Sequence, residues 1–159
     1  MATEVERKFL VANDLWRRGA RGVSCTQGYL APGPPAAIRV RIMGDKATLN
    51  IKSATMDVTR DEFEYAIPLA DARHILEALC TGHLIEKTRY RVDHGGFAWD
   101  VDVFGGVNEG LIVAEIELEH AEQPFDRPSW LGSEVSDDPR YFNSNLTQHP
   151  YAVWAEREA

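Results

Sequence analysis

The chain has 159 residues, 44% hydrophobic and 26% charged, with seventeen Lys and Arg against twenty-five Asp and Glu and a net charge of −8. A chain of this length can bury a sizeable core without disulfides or a structural metal, so Cys25 and Cys80 read as free thiols. No stretch reaches the roughly 20 apolar residues of a membrane span, Glu4, Glu6, Arg7 and Lys8 stand where a leader would be apolar, and the acidic balance argues against nucleic acid; the expected location is cytoplasmic.

Period-two alternation predicts strands over 3–11, 37–43, 46–53, 58–67, 86–93, 97–104 and 111–119. Asn13-Asp14-Leu15-Trp16 suggests a helical turn after the first of them, and Ala31-Pro32-Gly33-Pro34-Pro35 reads as a loop. Beyond Pro68, Ala72, Ile75, Leu76, Leu79 and Cys80 recur at helical spacing over 71–80, with Gly82 placed to end the helix. Gly44-Asp45, His94-Gly95-Gly96 and residues 105–110 supply turn chemistry, which implies antiparallel hairpins. Asp137 or Asp138 before Pro139 caps a short helix carrying Tyr141, Phe142 and Leu146, and 151–158 forms another. No repeat, low-complexity tract or linker divides the chain, so 1–159 is expected to be a single, mainly β domain with a few helices.

Residues i and i+2 of a strand share a face about 6.7 Å apart, so each strand can be asked what its polar face carries. The answer is runs of one sign. Glu4 and Glu6 precede Lys8; Arg39 pairs with Arg41; Lys52 ends its strand; Arg60 precedes Glu62 and Glu64. Lys87, Arg89 and Arg91 are basic, whereas Asp100, Asp102, Glu115 and Glu117 are acidic. Charged strand faces are usually solvated, yet a surface shaped only for solubility mixes its signs, because neighbouring like charges repel. If these faces point inward, a barrel of about eight strands encloses a polar tunnel suited to a polyanionic phosphate and its metal: carboxylates hold hard divalent cations, and Arg and Lys hold phosphate oxygens. Periodicity alone leaves open which face is inside.

The opening Glu4-Val5-Glu6-Arg7-Lys8 resembles the Glu-x-Glu-x-Lys signature of the CYTH superfamily, the triphosphate tunnel metalloenzymes. Gln27-Gly28-Tyr29-Leu30, Arg39-Val40-Arg41, Leu49-Asn50-Ile51-Lys52, Arg60-Asp61-Glu62-Phe63-Glu64-Tyr65 and Lys87-Thr88-Arg89 extend the likeness in order. Asp100-Val101-Asp102-Val103-Phe104, Ala114-Glu115-Ile116-Glu117-Leu118 and the stretch from Gly132 to Asn143 complete it, and Glu6 to Val11 looks most like short bacterial members that are inorganic triphosphatases. The resemblance implies a closed antiparallel eight-stranded β-barrel with the charged faces inside, forming a tunnel. It implies that Lys8, Arg39, Arg41, Lys52, Lys87 and Arg89, joined by Arg60, bind substrate. It further implies that Glu4, Glu6, Asp102, Glu115 and Glu117 hold a divalent metal, Mg²⁺ or Mn²⁺, and that Glu4, Glu6 and Lys8 act in catalysis. Glu62 and Glu64 match a motif position that implies either metal binding or orienting of the bases, and Arg91 and Asp100 are expected to line the tunnel without an assigned task.

The implied reaction is metal-dependent hydrolysis of inorganic triphosphate to pyrophosphate and phosphate, with a small-molecule partner, neither nucleic acid nor membrane, and a homodimer compatible with the sequence. A class IV adenylyl cyclase or a thiamine triphosphatase would use a similar tunnel, and a non-catalytic polyphosphate or nucleotide binding module is the alternative of another class. The five histidines lack metal-ligand spacing, and Trp16, Trp99, Trp130 and Trp154 read as packing residues.

Overall fold

The computed structural model describes residues 2–53 and 58–158, with the side chains of 2–4 and 156–158 outside the description. Nine strands among these residues form one sheet: β1 (Ala2–Val11), β2 (Gly22–Ala31), β3 (Ala36–Met43), β4 (Lys46–Ser53), β5 (Thr59–Ile67), β6 (Thr81–His94), β7 (Phe97–Phe104), β8 (Ile112–Leu118) and β9 (Leu131–Glu134). The order β5-β4-β3-β2-β6-β7-β8-β1 is antiparallel throughout, and β1 returns to pair with β5 from Ala2↔Glu62 to Val5↔Thr59. That pairing closes an eight-stranded barrel. The same edge of β1 then leaves β5 and takes β9 as its neighbour, with Phe9 opposite Glu134 and Val11 opposite Leu131.

Helix α1 (Leu69–Ala78) stops earlier than the periodicity predicts. Leu79 caps it, and Gly82, at φ 69°, bends the start of β6 instead of ending the helix. Two further helices, α2 (Asn143–Leu146) and α3 (Tyr151–Glu158), follow a 3-10 turn at Pro139–Tyr141 where Asp138 accepts from the Arg140 amide. Strands β2 and β9 are additions to the predicted set. Strand β2 escapes hydrophobic patterning because its outward face carries Ser24, Thr26 and Gly28.

The outward faces of β1, β7 and β8 are largely apolar and covered. Val5 and Phe9 of β1, Trp99 and Val101 of β7, and Ala114, Ile116 and Leu118 of β8 form one buried cluster, capped by Trp16 from the 3-10 turn at Leu15–Arg17 and by Trp130. Phe9 meets Trp99 and Phe125 edge-on, at centroid distances of 5.8 and 6.0 Å, an arrangement that suits the ring quadrupoles. On the other side, α1 lays Ala72 and Leu76 against Val40 and Ala47. Inside, one end of the barrel is apolar as well. Leu10, Ile85, Phe104 and Val113 continue the inward faces of β1, β6, β7 and β8, and they pack with Tyr141 and Leu146 of the C-terminal segment. The charged part of the interior is therefore bounded at this end.

Gly28 faces the junction of α1 and β6: a Cβ there would lie 2.7 Å from Cys80 Sγ, 2.8 Å from Leu84 Cδ2 of β6 and 3.1 Å from Leu76 Cδ2 of α1. Gly28→Ala is expected to destabilise the fold by about 1–3 kcal/mol in urea unfolding, as overpacked cores do. An unchanged midpoint would mean that Cys80 and Leu84 do not close on this strand.

Candidate active site

The closed barrel settles the face question. Glu6, Lys8, Arg39, Arg41, Lys52 and Arg60 line one interior cavity of about 460 Å³. So do Glu62, Glu64, Arg89, Asp100, Glu115 and Glu117. Arg91 does not reach this space; it lines an adjoining cavity that shares Glu6, Asp100, Glu115 and Glu117 with the first. Glu4 lies on β1 opposite Arg60, and its side chain falls outside the described residues.

Register explains how the charges meet. On one wall, β1 and β8 place Lys8 opposite Glu115 and Glu6 opposite Glu117, while β7 and β8 place Asp100 opposite Glu115. Two of these three pairs are acid against acid, which costs stability in an ordinary sheet. Burial, with help from Glu115, raises the Asp100 pKa against the opposing pull of Arg89. Glu115 is itself held by cations, with Lys8 Nζ at 3.6 Å and Arg89 Nη2 at 3.8 Å. Among the described residues, no three acidic, imidazole or thiol groups already converge on one point.

The facing wall is basic. Arg39 and Arg41 alternate on β3, and Arg39 is 7% exposed with an Nε that finds no hydrogen-bond partner among the described residues. Burial, then the neighbouring Arg39 and Arg89 charges, lower the Arg41 pKa. Glu64 stands 3.5 Å from Arg41 and Glu62 3.9 Å from Lys52, so these two acids neighbour bases instead of the acidic wall.

Lys87 and Asp102, expected to touch substrate and metal respectively, lie on the inward faces of β6 and β7 but deeper, toward the apolar end of the barrel, and do not line either cavity. Lys87 Nζ lies 2.8 Å from Asp102 Oδ2 with both side chains almost wholly buried. Burial lowers the Lys87 pKa although Asp102 opposes it; for Asp102, the Lys87 and Arg89 charges outweigh burial and hold the carboxyl below its usual range.

Several lining groups escaped the charge pattern. Tyr29 and Asn50 occupy inward positions of β2 and β4, facing Arg39 in register from its two sides. Asn50 accepts from Thr48 Oγ1 at 3.0 Å and donates to Glu62 at 3.4 Å. Inward alternation through Arg39 was the signal for both. Phe142 and Asn143 to Asn145 also line the cavity, and the Phe142 ring lies under Lys8 Nζ at 5.7 Å and the Arg60 guanidinium at 4.9 Å. Nothing in strand periodicity points to that segment. Cys25 is buried on the inward side of β2 with Sγ 3.8 Å from Gln27 Oε1, whereas Cys80 lies under Gly28 on the outer face.

The sequence matches the CYTH domain family over residues 2–151. It is 45% identical to an inorganic triphosphatase of Acetivibrio thermocellus over 156 residues, 98% of this chain and 100% of the relative. It is 36% identical to an inorganic triphosphatase of Nitrosomonas europaea over 149 residues, 91% of this chain and 96% of the relative. A crystal structure of an inorganic triphosphatase superposes with a TM-score of 0.65 at 35% identity, covering 92% of this chain and 95% of that one.

The basic wall should take small polyanions on charge alone. Pyrophosphate titrated calorimetrically without divalent metal is expected to bind about 10-fold more weakly to Arg39→Ala, the loss of one charge-assisted hydrogen bond. Equal affinities would remove Arg39 from the anion site.

Proposed function

This chain belongs to the CYTH family, and on that premise we propose that it is a metal-dependent inorganic triphosphatase, converting tripolyphosphate to pyrophosphate and phosphate within the barrel. The observation that carries the reading is the acid-on-acid register, Glu6 against Glu117 and Asp100 against Glu115, facing the bases of β3 across one cavity. An oxygen-only set of this kind fits a hard divalent cation, Mg²⁺ or Mn²⁺, better than a soft one. Glu6, Glu115 and Glu117, joined by Glu4 two residues earlier on β1, would hold it. When bound, it supplies charge neutralisation and a more acidic water.

The protein's own groups account for the rest. Arg39, Arg41, Lys52, Arg60 and Arg89 offset the substrate's negative charge, which otherwise repels both the attacking water and the carboxylates. Lys8, which lies between Glu115 and the Phe142 ring, would stabilise charge on the transferred phosphoryl group. The water oxygen bonds to a terminal phosphorus, the bridging P–O bond breaks, and pyrophosphate leaves with the electron pair. The water's proton passes to a carboxylate of β1, Glu4 or Glu6. We read 1–159 as a single catalytic unit and place it in the cytoplasm, where free thiols persist.

Phosphate release from tripolyphosphate, ATP and thiamine triphosphate, measured side by side with Mg²⁺ and Mn²⁺ and with cyclic AMP assayed separately, tests the assignment. Tripolyphosphate is expected to be the preferred substrate. No release with either metal would sink the reading, and faster cyclic AMP formation from ATP would replace it with a cyclase.

Glu115→Gln and Glu117→Gln each remove an anionic donor without removing volume. Both are expected to weaken divalent metal binding and lower turnover by about 10- to 100-fold, with far-ultraviolet circular dichroism unchanged. Wild-type turnover at limiting metal in both variants would make this wall ornamental.

A further inference from the structure

At the deep end of the charged cavity, Arg89 meets a carboxylate that is buried inside the barrel. Arg89 Nε donates to Asp102 Oδ1 at 2.7 Å and Arg89 Nη2 to Asp102 Oδ2 at 2.9 Å, a two-pronged contact that fixes the plane of the guanidinium. Lys87 Nζ lies 2.8 Å from the same Oδ2. Asp102 is 0% exposed, and both of its oxygens are engaged. For Asp102 to bind metal it would have to turn from a buried lysine, and a buried charge stripped of its partner is strongly destabilising. The trio also has the wrong sign for a cation site, since two bases on one carboxylate leave a net positive charge. Its cavity-facing part is the remainder of Arg89, with Nη1 3.6 Å from Asp100 and Nη2 3.8 Å from Glu115.

We propose that Asp102 is a positioning residue that anchors Arg89, so that the guanidinium stays aimed at the cavity when Glu115 turns from it toward a cation, and that Asp102 is not itself a metal ligand. The inference rests on the tripolyphosphate reading of the cavity, and it reassigns two residues within it. Lys87 balances the charge of the anchor from the apolar end of the barrel and has no contact with substrate. A bidentate anchor is needed because Arg89 stands between two sets of carboxylates. Without Asp102, Asp100 and Glu115 would draw the guanidinium onto the acidic wall and away from the anion.

Three readouts on Asp102→Asn test this without relying on turnover. Mn²⁺ affinity, followed by the paramagnetic resonance of the free ion, is expected to be unchanged. Tripolyphosphate affinity, measured calorimetrically in EDTA, is expected to fall about tenfold, and the loss is expected to vanish in an Arg89→Ala background. The Arg89 Nε–H resonance, identified by its disappearance in Arg89→Lys, is expected to exchange slowly in the wild type and fast in the variant. If Asp102→Asn misfolds because Lys87 is left uncompensated, Lys87→Met/Asp102→Asn carries the same measurements. A fall in Mn²⁺ affinity with intact tripolyphosphate binding in EDTA would make Asp102 a ligand and overturn the proposal. So would an equal loss with and without Arg89. Failure of the wild type to bind tripolyphosphate would bring down the proposed function, while the Mn²⁺ and resonance measurements would still decide what Asp102 does.

Discussion

A charge removed from water must find an opposite charge, a hydrogen bond or a ligand, and this barrel turns inward charges that it does not all match, with Arg39 Nε buried without a hydrogen-bond partner among the described residues and Glu6 set against Glu117. Strand alternation makes this unavoidable: once Val5, Phe9, Trp99, Val101, Ala114 and Ile116 pack outward, the residues between them must face inward. Some of those inward groups are matched, as Lys8 is by Glu115 and Arg89 by Asp102. Others are set against their own kind, as Glu6 is against Glu117. The residual repulsion on the acidic wall and the unsatisfied Arg39 Nε on the basic wall are two halves of one demand, for a cation and a polyanion together.

The rest of the molecule serves that interior. Helix α1, the 3-10 turn carrying Trp16 and the Phe125 to Trp130 stretch cover apolar outer faces that would otherwise meet solvent. The C-terminal segment fills the inner end of the barrel with Tyr141 and Leu146, then offers Phe142 to the cavity beside two bases. An aromatic face under Lys8 and Arg60 favours their charge without occupying the hydrogen bonds that phosphate oxygens would use. Glu62 and Glu64 stand beside Lys52 and Arg41 in a similar supporting place, with Asn50 linking Glu62 to Thr48.

Much of this was legible from sequence because alternation carries it. The pairs Arg39/Arg41, Asp100/Asp102 and Glu115/Glu117 each announce a charged face, and the turn residues between strands imply hairpins. Which face is inside was not legible from periodicity, because a period of two is symmetric; the family resemblance implied it, and the closing β1–β5 pairing, between residues about 60 apart in the chain, bears it out. Strand β2 was hidden by Ser24, Thr26 and Gly28 on the face where hydrophobic residues would have signalled it. The fates of Lys87 and Asp102 depend on cross-strand register, in which Arg89 faces Asp102 and Lys87 faces Phe104, and spacing within one strand contains no such information. The Phe142 segment reaches the site by tertiary packing alone.

The central claim is that the acidic and basic walls form one site, so each ligand should strengthen the binding of the other. Melting temperatures measured with metal alone, with a slowly hydrolysed triphosphate analogue alone, and with both at fixed free concentrations test it directly. The account predicts joint stabilisation greater than the two separate contributions together, by about 1–3 kcal/mol for coupled sites. Contributions that simply add at matched free ligand would contradict it, because the two walls would then be answering to separate cavities.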